Sequence, residues 1–147
     1  MLISSGLRSI LALLCVLTTV QVGMADDTPL KSLQGKWQVK RITMNGKPIE
    51  DRQASNSQLT FSDDELRWKS DDGSDLERFK LKPEADARPP AIHLSRVEPA
   101  NRPQTGWMIY EFTEGHLRLC YFDALQGRPT SFEPQEKLTV LELEKAP

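Results

Sequence analysis

Few side chains in this sequence are equipped to hold a metal or act as a nucleophile. Beyond residue 25 they are His93, His116 and Cys120, together with ordinary Ser, Asp and Glu residues. His116 and Cys120 stand four positions apart in a segment that alternates like a strand. They share a face but lie about 13 Å apart at 3.3 Å per residue, too far to bind one ion together. Neither Cys-x-x-Cys nor His-Glu-x-x-His spacing occurs. Nucleophilic hydrolysis needs a Ser or Cys held against a His that an acid orients, and no Gly-x-Ser-x-Gly elbow presents such a serine. Glu111 and Glu114 approach a carboxylate pair, but at a hairpin end, where acids are solvated. Asp71-Asp72-Gly73-Ser74-Asp75 lacks the frame and closing Glu of a calcium loop and reads as a polar turn. Arg128 is expected to fix its loop, with Asp123 as its partner. The expectation is no catalytic residue, no metal ligand and no cofactor.

The elements around these residues read as strands with turn punctuation. Trp37 and Val39 alternate with Lys36, Gln38 and Lys40 in a first strand, Gly35 to Met44. The alternation then slips, since Ile42 and Met44 are out of phase with Trp37, and a bulge near Arg41 repairs it. Asn45-Gly46 is a turn. Further strands are expected near Gln58–Ser62, Glu65–Lys69, Asp75–Lys82, Ala91–Val97, Gly106–Phe112, His116–Phe122 and Glu136–Glu144. Glu50 to Asn56 has room for one helical turn. About eight short antiparallel strands with mostly short connections predict an all-β chain, a small up-and-down β-barrel whose closure removes open edges. One register follows from pattern. With Glu114-Gly115 as a two-residue turn, Met108, Tyr110, Phe112, Leu117, Leu119 and Tyr121 share the core face, and a one-residue slip would scatter them. Trp107, Ile109, Cys120 and Phe122 then form an apolar patch on the outer face, which needs a cover. The cover is either the chain's own Thr28–Leu33 or Asp123–Pro134 segment, or a second subunit or partner protein.

The N-terminus reads as an export signal. Arg8 precedes a mostly apolar run, Ile10 to Val22, and Gly23-Met24-Ala25 suits cleavage after Ala25. The run is short for a membrane span, which needs about 20 residues. The division expected is residues 1–25 as signal peptide, 26–34 as lead and 35–147 as one barrel domain. The whole chain carries a net charge of −2. Without residues 1–25 it carries 18 basic against 21 acidic side chains. That mixed, mildly acidic surface argues against nucleic acid and against anionic membrane surfaces as partners. Cys120 is then the one thiol left, so burial and not a disulfide must stabilise the fold.

Gly35-Lys36-Trp37 resembles the G-x-W signature that opens the first strand of lipocalins. The wider pattern is similar to a family of uncharacterised lipocalin-like domains abundant in planctomycete bacteria. It comprises Leu33 to Trp37, Asn45-Gly46-Lys47-Pro48, Leu59-Thr60-Phe61, Tyr110 with Leu117-Arg118-Leu119-Cys120, Arg128-Pro129-Thr130-Ser131-Phe132, and Leu138 to Glu144. The resemblance covers nearly all of residues 26–147. It implies a lipocalin-like barrel in an exported protein, with Gly35 and Trp37 as structural signature and Trp37 closing the bottom against a basic side chain. It implies no activity. The expected function is non-catalytic binding of a small apolar or amphipathic ligand, lined by Trp68, Phe79, Tyr110 and Leu119. The alternative is a filled barrel serving as an interaction or inhibitor module, or a homodimer, through Trp107, Ile109, Cys120 and Phe122 and the loops Pro83–Pro90 and Glu98–Thr105.

Overall fold

The computed structural model describes residues 29–84, 86–101 and 104–147. The expected signal peptide, residues 1–25, lies outside the described residues, as does the start of the lead. Among these residues nine strands follow one another: β1 Gly35–Met44, β2 Lys47–Pro48, β3 Gln58–Ser62, β4 Glu65–Lys69, β5 Asp75–Glu84, β6 Ala91–Glu98, β7 Thr105–Thr113, β8 His116–Phe122 and β9 Leu138–Lys145. Neighbouring strands pair antiparallel from β3 to β9, and β1 pairs with both β3 and β9. Eight strands therefore close into an up-and-down barrel. The two-residue β2, which the sequence pattern does not reveal, only extends the turn after β1. A four-residue helix, α1 Arg52–Ser55, packs on β1 where one helical turn was expected.

The bulge in β1 is present. Its register against β9 skips between Val39 and Arg41, so Trp37, Val39 and Ile42 all reach the interior. The β7–β8 hairpin adopts the register selected by pattern: Thr113 faces His116, Tyr110 faces Leu119 and Met108 faces Tyr121. Glu114 (φ 49°) and Gly115 (φ 82°) both take the left-handed backbone that a tight primed turn requires. Of the six core-face residues, Met108, Tyr110, Leu117 and Leu119 are buried and Tyr121 packs against them, whereas Phe112 is 44% exposed at the strand end.

The outer apolar patch is covered by the chain itself. Ile109 and Cys120, paired across β7 and β8, are both 0% exposed. They belong to a second, smaller cluster with Ala87, Ala91, Leu138 and Val140, against which Trp107, Phe122 and Phe132 pack. The segment after β8 forms the lid of this cluster. The Cys120 thiol donates to the Ser131 carbonyl at 3.6 Å, and the Arg118 guanidinium lies 4.8 Å from the Phe132 ring centre. Arg128 sits 4.8 Å over Trp107 and pairs with Glu84 at 2.7 Å, and not with Asp123 as expected. The other candidate cover, the end of the lead, goes elsewhere: Leu30 and Leu33 enter the main core at the barrel's closed end.

Candidate functional site

The two ends of the barrel differ in chemistry. The closed end is built by the G-x-W segment. Trp37 Nε1 donates to the Leu33 carbonyl at 2.7 Å, and Lys145 Nζ from the last strand lies 4.5 Å from the Trp37 ring centre. The same ammonium donates to the Gln34 carbonyl. Gly35 (φ +108°) leaves room for it, since a Cβ there would meet Lys145 Nζ at 2.8 Å. Trp37, Gly35 and Lys145 thus act as a plug: the indole seals the end, and the lysine ties the first strand to the last.

At the opposite end the barrel encloses a cavity of about 510 Å³. Its walls include Leu59, Leu66, Phe79, Leu94, Leu119 and Leu141. Of the residues expected to line a ligand site, Trp68, Phe79 and Leu119 do so. Tyr110 does not: its hydroxyl donates to the Pro29 carbonyl at 3.1 Å and its ring meets Phe112 at 6.1 Å, both at the closed end. The reason is geometric. Tyr110 lies on the correct face of β7 but too far along the strand, past Met108, which does line the cavity.

Around the apolar wall stands a polar set, Glu77, Arg96, Tyr121 and Asp123, of which the sequence placed only Tyr121 on the core face. Glu77 faces Trp68 across β4 and β5, and Arg96 faces Phe79 across β5 and β6. Both are in phase with inward Leu or Phe residues, Glu77 with Phe79 and Arg96 with Leu94. A charge on the apolar phase of a strand was therefore the available signal. Arg96 Nη2 donates to Glu77 Oε1 at 2.8 Å, its Nη1 donates to Gln104 Oε1 at 2.7 Å, and its guanidinium lies 5.3 Å from the Phe79 ring centre. Asp123 opens the 3-10 turn Asp123–Leu125 that follows β8, and its Oδ1 accepts a bond from the Thr139 hydroxyl at 2.8 Å. The Tyr121 phenol is held protonated well above its ordinary value, first by burial and then by the Glu77 and Asp123 carboxylates. Trp68 Nε1 is buried with no hydrogen-bond partner.

The remaining chemically equipped residues are engaged elsewhere. His116 faces Glu144 at 3.6 Å on the outer surface, and His93 meets the Trp107 ring edge-on at 5.0 Å. Glu111 takes Arg118 Nη1 at 2.6 Å. Asp72 caps its own turn, where bonds from the Ser70 and Ser74 hydroxyls and the Ser74 amide hold its carboxyl down at about 2. Among the described residues no group of three His, Cys, Asp or Glu converges to hold a metal ion. No protein-family model, curated protein or solved structure matches the chain.

Proposed function

We propose that the protein is an exported, non-catalytic, lipocalin-like binding domain that holds a small amphipathic molecule in the open end of its barrel. The observation that carries this reading is the cavity of about 510 Å³, aliphatic and aromatic in its walls and polar at one side. Ligand sites commonly span about 300–1,000 Å³ and combine apolar walls with a few placed polar groups. Export is supported by the apolar run Ile10–Val22 followed by Gly23-Met24-Ala25. Membership of the lipocalin-like family is supported by the G-x-W segment with its stacked Lys145.

The test is titration with N-phenyl-1-naphthylamine, an uncharged probe that fluoresces in apolar surroundings. Its emission should rise on binding, and Trp68, in the cavity wall, should be quenched. Leu94→Trp fills the cavity from β6 and should abolish the signal while the melting midpoint holds. Equal binding by the native and Leu94→Trp proteins would place the probe elsewhere and overturn the reading.

A further inference from the structure

We infer that the cavity selects amphiphiles with a cationic amino head group, with Asp123 as the residue that receives it; this rests on the binding reading above. Among the described residues three ionisable side chains other than tyrosine line the cavity: Glu77, Arg96 and Asp123. Arg96 and Glu77 neutralise each other at 2.8 Å. Asp123 accepts the Thr139 hydroxyl, and no Lys or Arg among the described residues ion-pairs with it. Among the described residues one carboxylate, Asp123, is therefore left without a cationic partner beside apolar walls, where the local dielectric is lower than in water and charge discrimination is strong.

Two neighbours sharpen the preference. Tyr121 and Trp68 line the same cavity, and electron-rich aromatic faces attract ammonium groups. The turn between β4 and β5, Ser70 to Ser74, carries Asp71 and Asp72 and no basic residue. An anion entering by that edge is repelled and a cation is drawn in. The unpaired Trp68 N–H does not argue for an acceptor-bearing ligand, because that atom is closed off from the void as well as from solvent. A carboxylate head would stand beside Asp123 with the Arg96 guanidinium already engaged by Glu77 and Gln104. An alcohol would be tolerated without gain. An ammonium would complete the pairing while its alkyl or aryl body filled the space between Leu59, Leu94 and Leu141.

The experiment is displacement of N-phenyl-1-naphthylamine from the full chain at pH 7.5. The competitors are decylammonium, decan-1-ol and decanoate, each below its micellar concentration. These share one apolar body and differ in head charge. Decylammonium should displace the probe at a concentration about tenfold below decanol, the gain expected of one charge-assisted pair, and decanoate should be the weakest. Asp123→Asn keeps the oxygen that Thr139 bonds, and it should bring decylammonium to the level of decanol while leaving decanol unchanged. If the variant lowers the melting midpoint, the ranking on the unaltered protein decides alone. Decanol or decanoate matching decylammonium overturns the inference and leaves the binding reading standing. A tenfold advantage that survives Asp123→Asn in a stable variant also overturns it. If the probe and all three compounds fail to bind, the binding reading itself falls, and this inference with it.

Discussion

Trp37 combines three structural roles. It fills the closed end, donates to the Leu33 carbonyl and carries Lys145 on its ring. Trp37→Ala should cost about 3–5 kcal/mol, because the indole is replaced by a cavity that a closed barrel cannot collapse around. A chemical denaturation curve checks this, and an unchanged midpoint would contradict the plug. Cys120 offers a second residue-scale test. Burial pushes its thiol up from an ordinary value of 9.0 to about 12, with Arg118 pulling slightly the other way. The folded protein keeps the proton while the unfolded chain loses it above 9.0, so the associated stability is full below 9.0 and is lost as pH rises toward 12. At pH 8 the native thiol should resist a disulfide reagent that reacts at once after denaturation. Asp72 behaves oppositely. Its lowered carboxyl contributes stability above 3.8 that is lost as pH falls through about 2. Ser70→Ala should raise its titration toward 3.8, readable by NMR of the carboxyl carbon.

The 3-10 turn Asp123–Leu125 is the element that makes the open end a site and not merely an opening. Leu125 enters the main core with φ 54°, a backbone that a bulky residue adopts only under constraint. The constraint is β7: a Cβ on Gly106 would stand 2.3 Å from both the Leu125 Cβ and its carbonyl oxygen. Gly106→Ala should therefore expel the turn, lower stability by about 1–3 kcal/mol and loosen Asp123, weakening ammonium displacement more than decanol displacement. Equal losses for both compounds would mean that the turn shapes the cavity without placing the charge. Almost none of this was legible beforehand. Period-2 alternation exposes strands, and it marked β1, its bulge and the β7–β8 register through Trp37, Ile42 and Met108. The turn is a three-residue element fixed by a contact between Gly106 and Leu125, which stand far apart in sequence and carry no periodic signature. Tyr110 failed as a lining residue for a related reason: phase fixes which face a side chain joins, while depth along the barrel depends on strand stagger. Glu77 and Arg96 were legible in phase, yet inward charges make sense only once a cavity is seen to hold them.

At the scale of the whole molecule, closure and the site are the same event. β9 supplies both missing ladders, to β8 and to β1, and it places Leu141 and Leu143 in the barrel core and Leu138 and Val140 in the cluster on the outer face. Each such burial is worth about 1.5–3 kcal/mol. The same strand carries the Lys145 that caps Trp37 at one end and the Thr139 that holds Asp123 at the other. Deleting Leu138–Lys145 should do more than remove one strand's contacts. It exposes two unpaired edges, on β1 and β8, and opens the wall at Leu141. The shortened chain should lose its cooperative thermal transition by circular dichroism and scatter light through edge-to-edge association. A sharp melt with retained probe binding would show that seven strands suffice to form the cavity. That outcome would detach the site from barrel closure, because Asp123 and the apolar walls would then have to be positioned by β1 and β3 to β8 alone.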